Sequence, residues 1–257
     1  MKIGVAGLGL IGGSIFKGLT DAGYDVVGVS KSQQGENIYK TYDILTDCEV
    51  VFVCSAMNRA LAVLDDLEHF LHPETIVTDV CSLKEFVCRK QRPYNFIPSH
   101  PMAGTEHHGF ENSFPELFKG AKWAITPYYK TTGIETLEKI IKQLGAKPVI
   151  TTPEKHDEAV ALISHMPMVI SQALFMAAED NPLAMELAAS GFRDMTRLAM
   201  SNTEMAEDMV SLNSRNIEHA ILKLYKSVGD LTAEDYPETI KRIKEKRSKM
   251  FCNSGNK

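Results

Sequence analysis

The stretch AGLGLIGGSIF, residues 6–16, carries glycines at positions 7, 9, 12 and 13, behind the apolar run Ile3 to Ala6 and ahead of a helical pattern from Ser14 to Ala22. Read as Gly7-x-Gly9-x-x-Gly12, it sits in the order of strand, tight turn and helix that gives a glycine triplet meaning. Gly7 permits the turn, Gly9 lets a pyrophosphate approach the backbone, and Gly12 lets the helix pack on the strand. The helix start adds free N–H groups and a partial positive charge. The expected cofactor-binding residues are therefore Gly7, Gly9, Leu10, Ile11 and Gly12. Glycine-rich turns also join strands to helices without a ligand, so the surrounding sequence carries the rest.

Downstream, short apolar runs rich in branched residues recur at 25–30, 50–55, 75–80, 95–100, 122–127 and 147–151, several of them separated by helical patterns such as RALAVLDDLEHFL and GIETLEKIIKQLG. That alternation predicts an α/β, Rossmann-type, mostly parallel sheet with helices on both faces. After Pro153 the strand signals stop and the apolar spacing turns helical to Met250. The expected organisation is a dinucleotide-binding domain, 1–152, followed by an all-helical substrate and dimerisation domain, 153–257. Its methionines and leucines exceed what one small bundle readily buries, so a homodimer is expected. The basic end, KRIKEKRSKMFCNSGNK, reads as a solvated, fraying helix end.

Composition narrows the class. A net charge of −5 gives no reason to expect nucleic acid or an anionic membrane as partner. The five cysteines form no C-x-x-C pair and are odd in number, which suggests neither a zinc site nor a disulfide framework, and a reducing, cytoplasmic location is expected. Glycines interrupt the faint signal-peptide pattern after Lys2. No run approaches the ~20 apolar residues of a membrane span.

The position after the second strand decides the nucleotide, because an acidic side chain there holds a ribose 2′-hydroxyl and repels a 2′-phosphate. Here it reads Ser30-Lys31-Ser32, two hydroxyls and a cation with no carboxylate, and NADP is expected, with NAD the alternative. Two further stretches fall past strands: TDVCSLK, with Ser82, and SHPMAGTEHHG, with His100. Pro101 holds His100 on extended backbone. An imidazole beside a nicotinamide is suited to take a proton from a hydroxyl as its carbon loses hydride.

Together, GLGLIGGS, TDVCSLK, SHPMAGTEHHG, HDEAVALISHMP and GFRDMTRLA resemble the prephenate/arogenate dehydrogenase family of tyrosine biosynthesis, over nearly the whole chain to about residue 226. The resemblance implies oxidative decarboxylation of a small cyclohexadienyl substrate. His100 would accept the C4 hydroxyl proton as hydride leaves, Ser82 would orient His100 or the hydroxyl, and Arg197 would pair with a carboxylate, with Arg193 the competing candidate. Thr105 falls in the motif and would hydrogen-bond substrate. The chemistry needs no metal, and His107 and His108 read as exposed loop residues. With no further segment after the helical half, any tyrosine inhibition is expected at the active site, competitive with substrate.

His156 and His165 stand nine positions apart, opposite faces of a straight helix at about 100° per residue. His165 is taken as the pocket residue, and His156 with Asp157 as first-turn or domain-interface polar residues. The chain departs from many prephenate-using members in having Met168 where they carry a histidine, and Ala206 near a common tryptophan. It looks more like cyanobacterial-type arogenate dehydrogenases, so arogenate is slightly favoured over prephenate. The rivals are a hydroxyacid or imine reductase, which would centre on a lysine in the helical half, and a non-catalytic NADP-binding dimeric sensor, with little need for Ser82, His100 and Arg197 together.

Overall fold

The computed structural model describes residues 1–105, 107–233 and 235–252; Glu106 of the SHPMAGTEHHG stretch and residues 253–257 of the basic end lie outside them. The first half begins β1 (Lys2–Ala6), α1 (Leu10–Asp21), β2 (Asp25–Val29), β3 (Ile38–Tyr39), β4 (Val50–Val53), α2 (Met57–Leu67), β5 (Ile76–Asp79) and β6 (Asn95–Phe96). These strands form one parallel sheet in the order β3-β2-β1-β4-β5-β6. The order reverses between β1 and β4, beside the glycine turn, where an open sheet leaves a crevice at its carboxyl end.

Both sheet faces are buried, as parallel strands require. On β4, Val50 and Phe52 point into a core with Ile3, Val5, Ile15, Trp123 and Ile140. Val51 and Val53 point the other way, against Leu64 and Leu67 of α2.

The remaining strands correct the expectation of a single sheet. Residues 95–100 read as one strand in the sequence, but Pro98 has no N–H to continue a ladder. The chain leaves the first sheet there and enters β7 (Ser99–Pro101), which with β8 (Lys122–Ile125) and β9 (Lys147–Ile150) makes a separate three-stranded sheet. In it β7 runs antiparallel to β8, with His100 opposite Ala124. His100 thus lies inside a short strand instead of at the end of a parallel one. Helix α3 (Ile134–Gln143) links β8 to β9, which pair in parallel.

Among the described residues every later element is helical: α4 (Pro153–Val160), α5 (Met166–Glu179), α6 (Pro182–Glu186), α7 (Ser190–Met195), α8 (Thr203–Leu212), α9 (Ser214–Ala233) and α10 (Tyr236–Cys252). Between α4 and α5, Ala161–His165 forms a π-helical turn, closed by Met166 N–H donating to the Ala161 carbonyl. Pro167 accounts for it, since its ring cannot sit against the carbonyl four residues earlier in a regular helix. The run Pro153–Glu179 is, by length and composition, apolar and long enough to cross a membrane, which amends the sequence expectation of no such run. Little of this half's apolar surface is covered within the chain: Met200, Leu187 and Met176 are 88, 70 and 67% exposed.

Candidate functional site

The glycine turn divides its labour. Gly7 has φ +100, which only glycine adopts without strain, and a Cβ there would lie 2.8 Å from the Cys54 carbonyl oxygen. A Cβ on Gly12 would strike the Gly7 carbonyl and approach Cys54 Cβ to 2.8 Å. Those two glycines are demanded by the chain's own packing. Gly9, which caps α1, is different: the space where its Cβ would stand holds nothing within 4 Å. The open ground lies where the first N–H groups of α1, on Leu10, Ile11 and Gly12, lack intrahelical acceptors. Ser55, whose backbone adjoins Gly7, has a buried hydroxyl with no hydrogen-bond partner. Open space at Gly9, free helix N–H groups and an unsatisfied hydroxyl fit a dinucleotide's phosphates and ribose.

At the end of β2, Ser30 is buried; its Oγ accepts from Gln33 N (3.1 Å) and lies 3.5 Å from Ser32 Oγ. Lys31 is exposed, and Lys40 Nζ donates to the carbonyls of Lys31 (3.0 Å) and Gln33 (2.8 Å). A second cation therefore fixes the loop, a feature with no local signal in the sequence.

His100 faces an ordered polar cluster built from both halves. Its Nδ1 lies 3.0 Å from His156 Nε2, and His156 Nδ1 lies 2.8 Å from Asp157 Oδ1. Asp157 in turn accepts from the backbone N–H groups of Lys84 at Oδ1 (2.8 Å) and Glu85 at Oδ2 (2.9 Å). Asn213 Nδ2 donates to the Asp157 carbonyl and lies 3.1 Å from His165 Nδ1. Under His100, the fully buried Lys84 Nζ pairs with Asp79 and donates to the Ser99 carbonyl (2.6 Å), while Ser99 N donates to Asp79 Oδ1 (3.2 Å). The lysine and aspartate neutralise each other, as a buried charge requires.

These surroundings hold both flanking imidazoles neutral. Burial, then His156, Lys84 and His165, push His100 well below the ordinary imidazole range. Burial lowers His165 to about 4, against an opposing pull from Asp157. Burial also raises the Cys54 and Cys81 thiols, leaving them protonated.

Not every expected residue joins the cluster. Ser82 Oγ donates to Met57 Sδ (3.5 Å). Thr105 Oγ1 accepts from His107 N (3.2 Å) in an exposed turn. Arg197 is exposed on the segment after α7, and Arg193 is 80% exposed with Asp194 at 3.8 Å. His156, in the first turn of α4, and Asp157 join the two halves, as the domain-interface reading expects; the direct pairing of His156 with His100 is what sequence reasoning missed. The π-turn brings His156 and His165 nearer to one face than a straight helix would, because a wider turn advances each residue by less than 100°. Lys84, Asp79 and Asn213 were unassigned; the adjacent His156-Asp157 pair was the one signal available.

Residues 29–151 match the family described as "Prephenate dehydrogenase, nucleotide-binding domain", and residues 152–245 match "Prephenate dehydrogenase, dimerization domain". A prephenate dehydrogenase of Bacillus subtilis is 30% identical over 238 residues, 83% of this chain, and the chain spans only 64% of that protein's length. Among solved structures, Synechocystis arogenate dehydrogenase superposes with a TM-score of 0.84 at 30% identity, over 97% of this chain and 99% of that one. The prephenate dehydrogenase of A. aeolicus, in complex with hydroxyphenyl propionate and NAD+, gives 0.84 at 25% identity, over 97% and 98%.

Proposed function

The chain belongs to the prephenate dehydrogenase family, and from that premise we propose that it is a homodimeric oxidoreductase that oxidatively decarboxylates a cyclohexadienol, arogenate in preference to prephenate, with NADP as hydride acceptor. The observation that carries this reading is His100: a neutral imidazole on a rigid strand, backed by a buried polar cluster from both halves. Such a group is a base ready to take a hydroxyl proton.

Gly7, Gly9, Leu10, Ile11 and Gly12 would hold the pyrophosphate, and Ser30, Lys31 and Ser32 a 2′-phosphate. The nicotinamide, when bound, supplies the acceptor for the hydride lost from C4. His100 takes the C4 hydroxyl proton; the ring then loses carbon dioxide and becomes aromatic. Arg197 pairs with a substrate carboxylate, a role suited to its planar fork of donors. The absence of a carboxylate beside Ser30 supports NADP, and the likeness to the Synechocystis enzyme supports arogenate. The NAD+ in the A. aeolicus complex keeps NAD as the second reading.

The test gives purified protein prephenate or arogenate with NADP or NAD and follows the absorbance of the reduced nicotinamide. Turnover of arogenate with NADP at the highest kcat/KM is expected. Binding of cofactor without turnover of either substrate would defeat the assignment in favour of a sensor, and a tenfold preference for NAD would reverse the choice of cofactor.

A further inference from the structure

A neutral imidazole has one lone pair and one N–H, and only the lone pair accepts a proton. His100 is therefore a base toward substrate in one of its two tautomers alone. The hydrogen bonds behind it fix which. Asp157 accepts a backbone N–H at each carboxylate oxygen, from Lys84 (2.8 Å) and Glu85 (2.9 Å). A carboxyl with both oxygens so occupied is an acceptor, and it must receive the hydrogen in its 2.8 Å contact with His156 Nδ1. With a single N–H on His156, its lone pair then lies on Nε2, and His100 Nδ1, 3.0 Å away, donates. The lone pair of His100 is left on Nε2, which no hydrogen bond reaches among the described residues.

We propose that His156 and Asp157 are positioning residues that lock His100 as the Nδ1–H tautomer and so present Nε2 as the base. The proposal rests on the dehydrogenase reading above. In the step it serves, the substrate O–H bond breaks and an Nε2–H bond forms on His100. Its Nδ1–H stays in place throughout, and the proton leaves from Nε2 to solvent once product has gone. The positive charge that appears on His100 is met through His156 by the Asp157 carboxylate, as a buried carboxylate behind a catalytic imidazole does elsewhere. Asn213 sets an internal contrast. Its Nδ2 is a donor at 3.1 Å from His165 Nδ1, so His165 carries its hydrogen on Nε2, the reverse of the other two.

The experiment reads the tautomers directly, by long-range proton–nitrogen NMR of the full-length protein labelled in its histidine rings at neutral pH. Signals are assigned by their loss in His100→Asn and His156→Gln. His100 and His156 are expected as Nδ1–H forms and His165 as Nε2–H; an Nε2–H form of His100 in the unsubstituted protein overturns the proposal. The kinetic arm uses His156→Gln and Asp157→Asn. In both, kcat is expected to fall about 10²–10⁴-fold, with KM and the cofactor Kd within ~3-fold. Unchanged kcat in both variants also overturns it. Should either variant melt early, the spectrum of the unsubstituted protein still decides. Failure of that protein to turn over prephenate and arogenate would remove the dehydrogenase reading, while the tautomer pattern would still be read independently.

Discussion

Charging His100 is opposed by burial and by its cationic and imidazole neighbours, Lys84, His156 and His165, with Asp79 already committed to Lys84. The base form accordingly persists through neutral and mildly acidic pH. The acid limb of kcat/KM is expected below 6.5, the ordinary imidazole value, because the native group takes up its proton only under more acid conditions. An acid limb above 6.5 would contradict the burial argument. Replacing His100 by asparagine keeps a hydrogen-bonding shape and removes the base, so kcat should fall about 100-fold or more. His165 also bears on stability. Its native value is about 4, against 6.5 in the unfolded chain. The unfolded state therefore binds the extra proton first, and the contribution present above 6.5 is lost as pH falls toward 4. Urea midpoints should decline over that window, and His165→Asn should flatten the decline by about one proton's worth.

At the scale of the element, the turn before α1 separates folding from binding within six residues. Gly12→Ala drives a methyl group into the Gly7 carbonyl and should destabilise the protein by about 1–3 kcal/mol or more. Gly9→Ala meets open space, so the melting temperature should hardly move. Its methyl group would still occupy the ground proposed for the pyrophosphate, and cofactor Kd should rise about tenfold or more, a loss of about 1.4 kcal/mol. Calorimetry and cofactor titration of the two variants measure both quantities. The turn was legible from sequence because its constraints are local: a tight approach of strand, loop and helix selects glycine at fixed spacing. The histidine cluster was only half legible. His100 announced itself through Pro101 and its motif. His156 was hidden by the assumption of a constant 100° per residue, which the π-turn ahead of Pro167 violates. The three-stranded sheet was obscured for a related reason, as Pro98 divides a run that reads as continuous.

At the scale of the whole molecule, the two halves bury unequal cores. The sheet half closes on itself, whereas the helical half's own buried clusters are small: Ala161, Ile217 and Ala220 in one, Met168, Ala206 and Met209 in the other. Apolar surface left open on α5, α6 and the segment carrying Met200 is the proposed contact with a second copy, in line with the family description of this region. Sedimentation velocity at micromolar concentration should give a dimer. The double variant Leu187→Lys, Met200→Lys places charge on two of the most exposed apolar positions and should shift the population to monomer. A monomeric unsubstituted protein, or a dimer indifferent to both charges, would defeat the assignment of this face.

Because Asp157 grips the Lys84 and Glu85 amides, α4 cannot lift from the loop after β5 without baring both N–H groups. Any opening that admits substrate while keeping both bonds would pivot about this grip and leave the imidazole pair assembled. The two amides become a built-in gauge of that motion. Their deuterium uptake should be as slow as that of the β4 and β5 amides, while the exposed Gly104 and Thr105 amides exchange early. Lys84 and Glu85 exchanging with the loop would mean that the halves part at the base itself, and that the catalytic arrangement is rebuilt at every turnover.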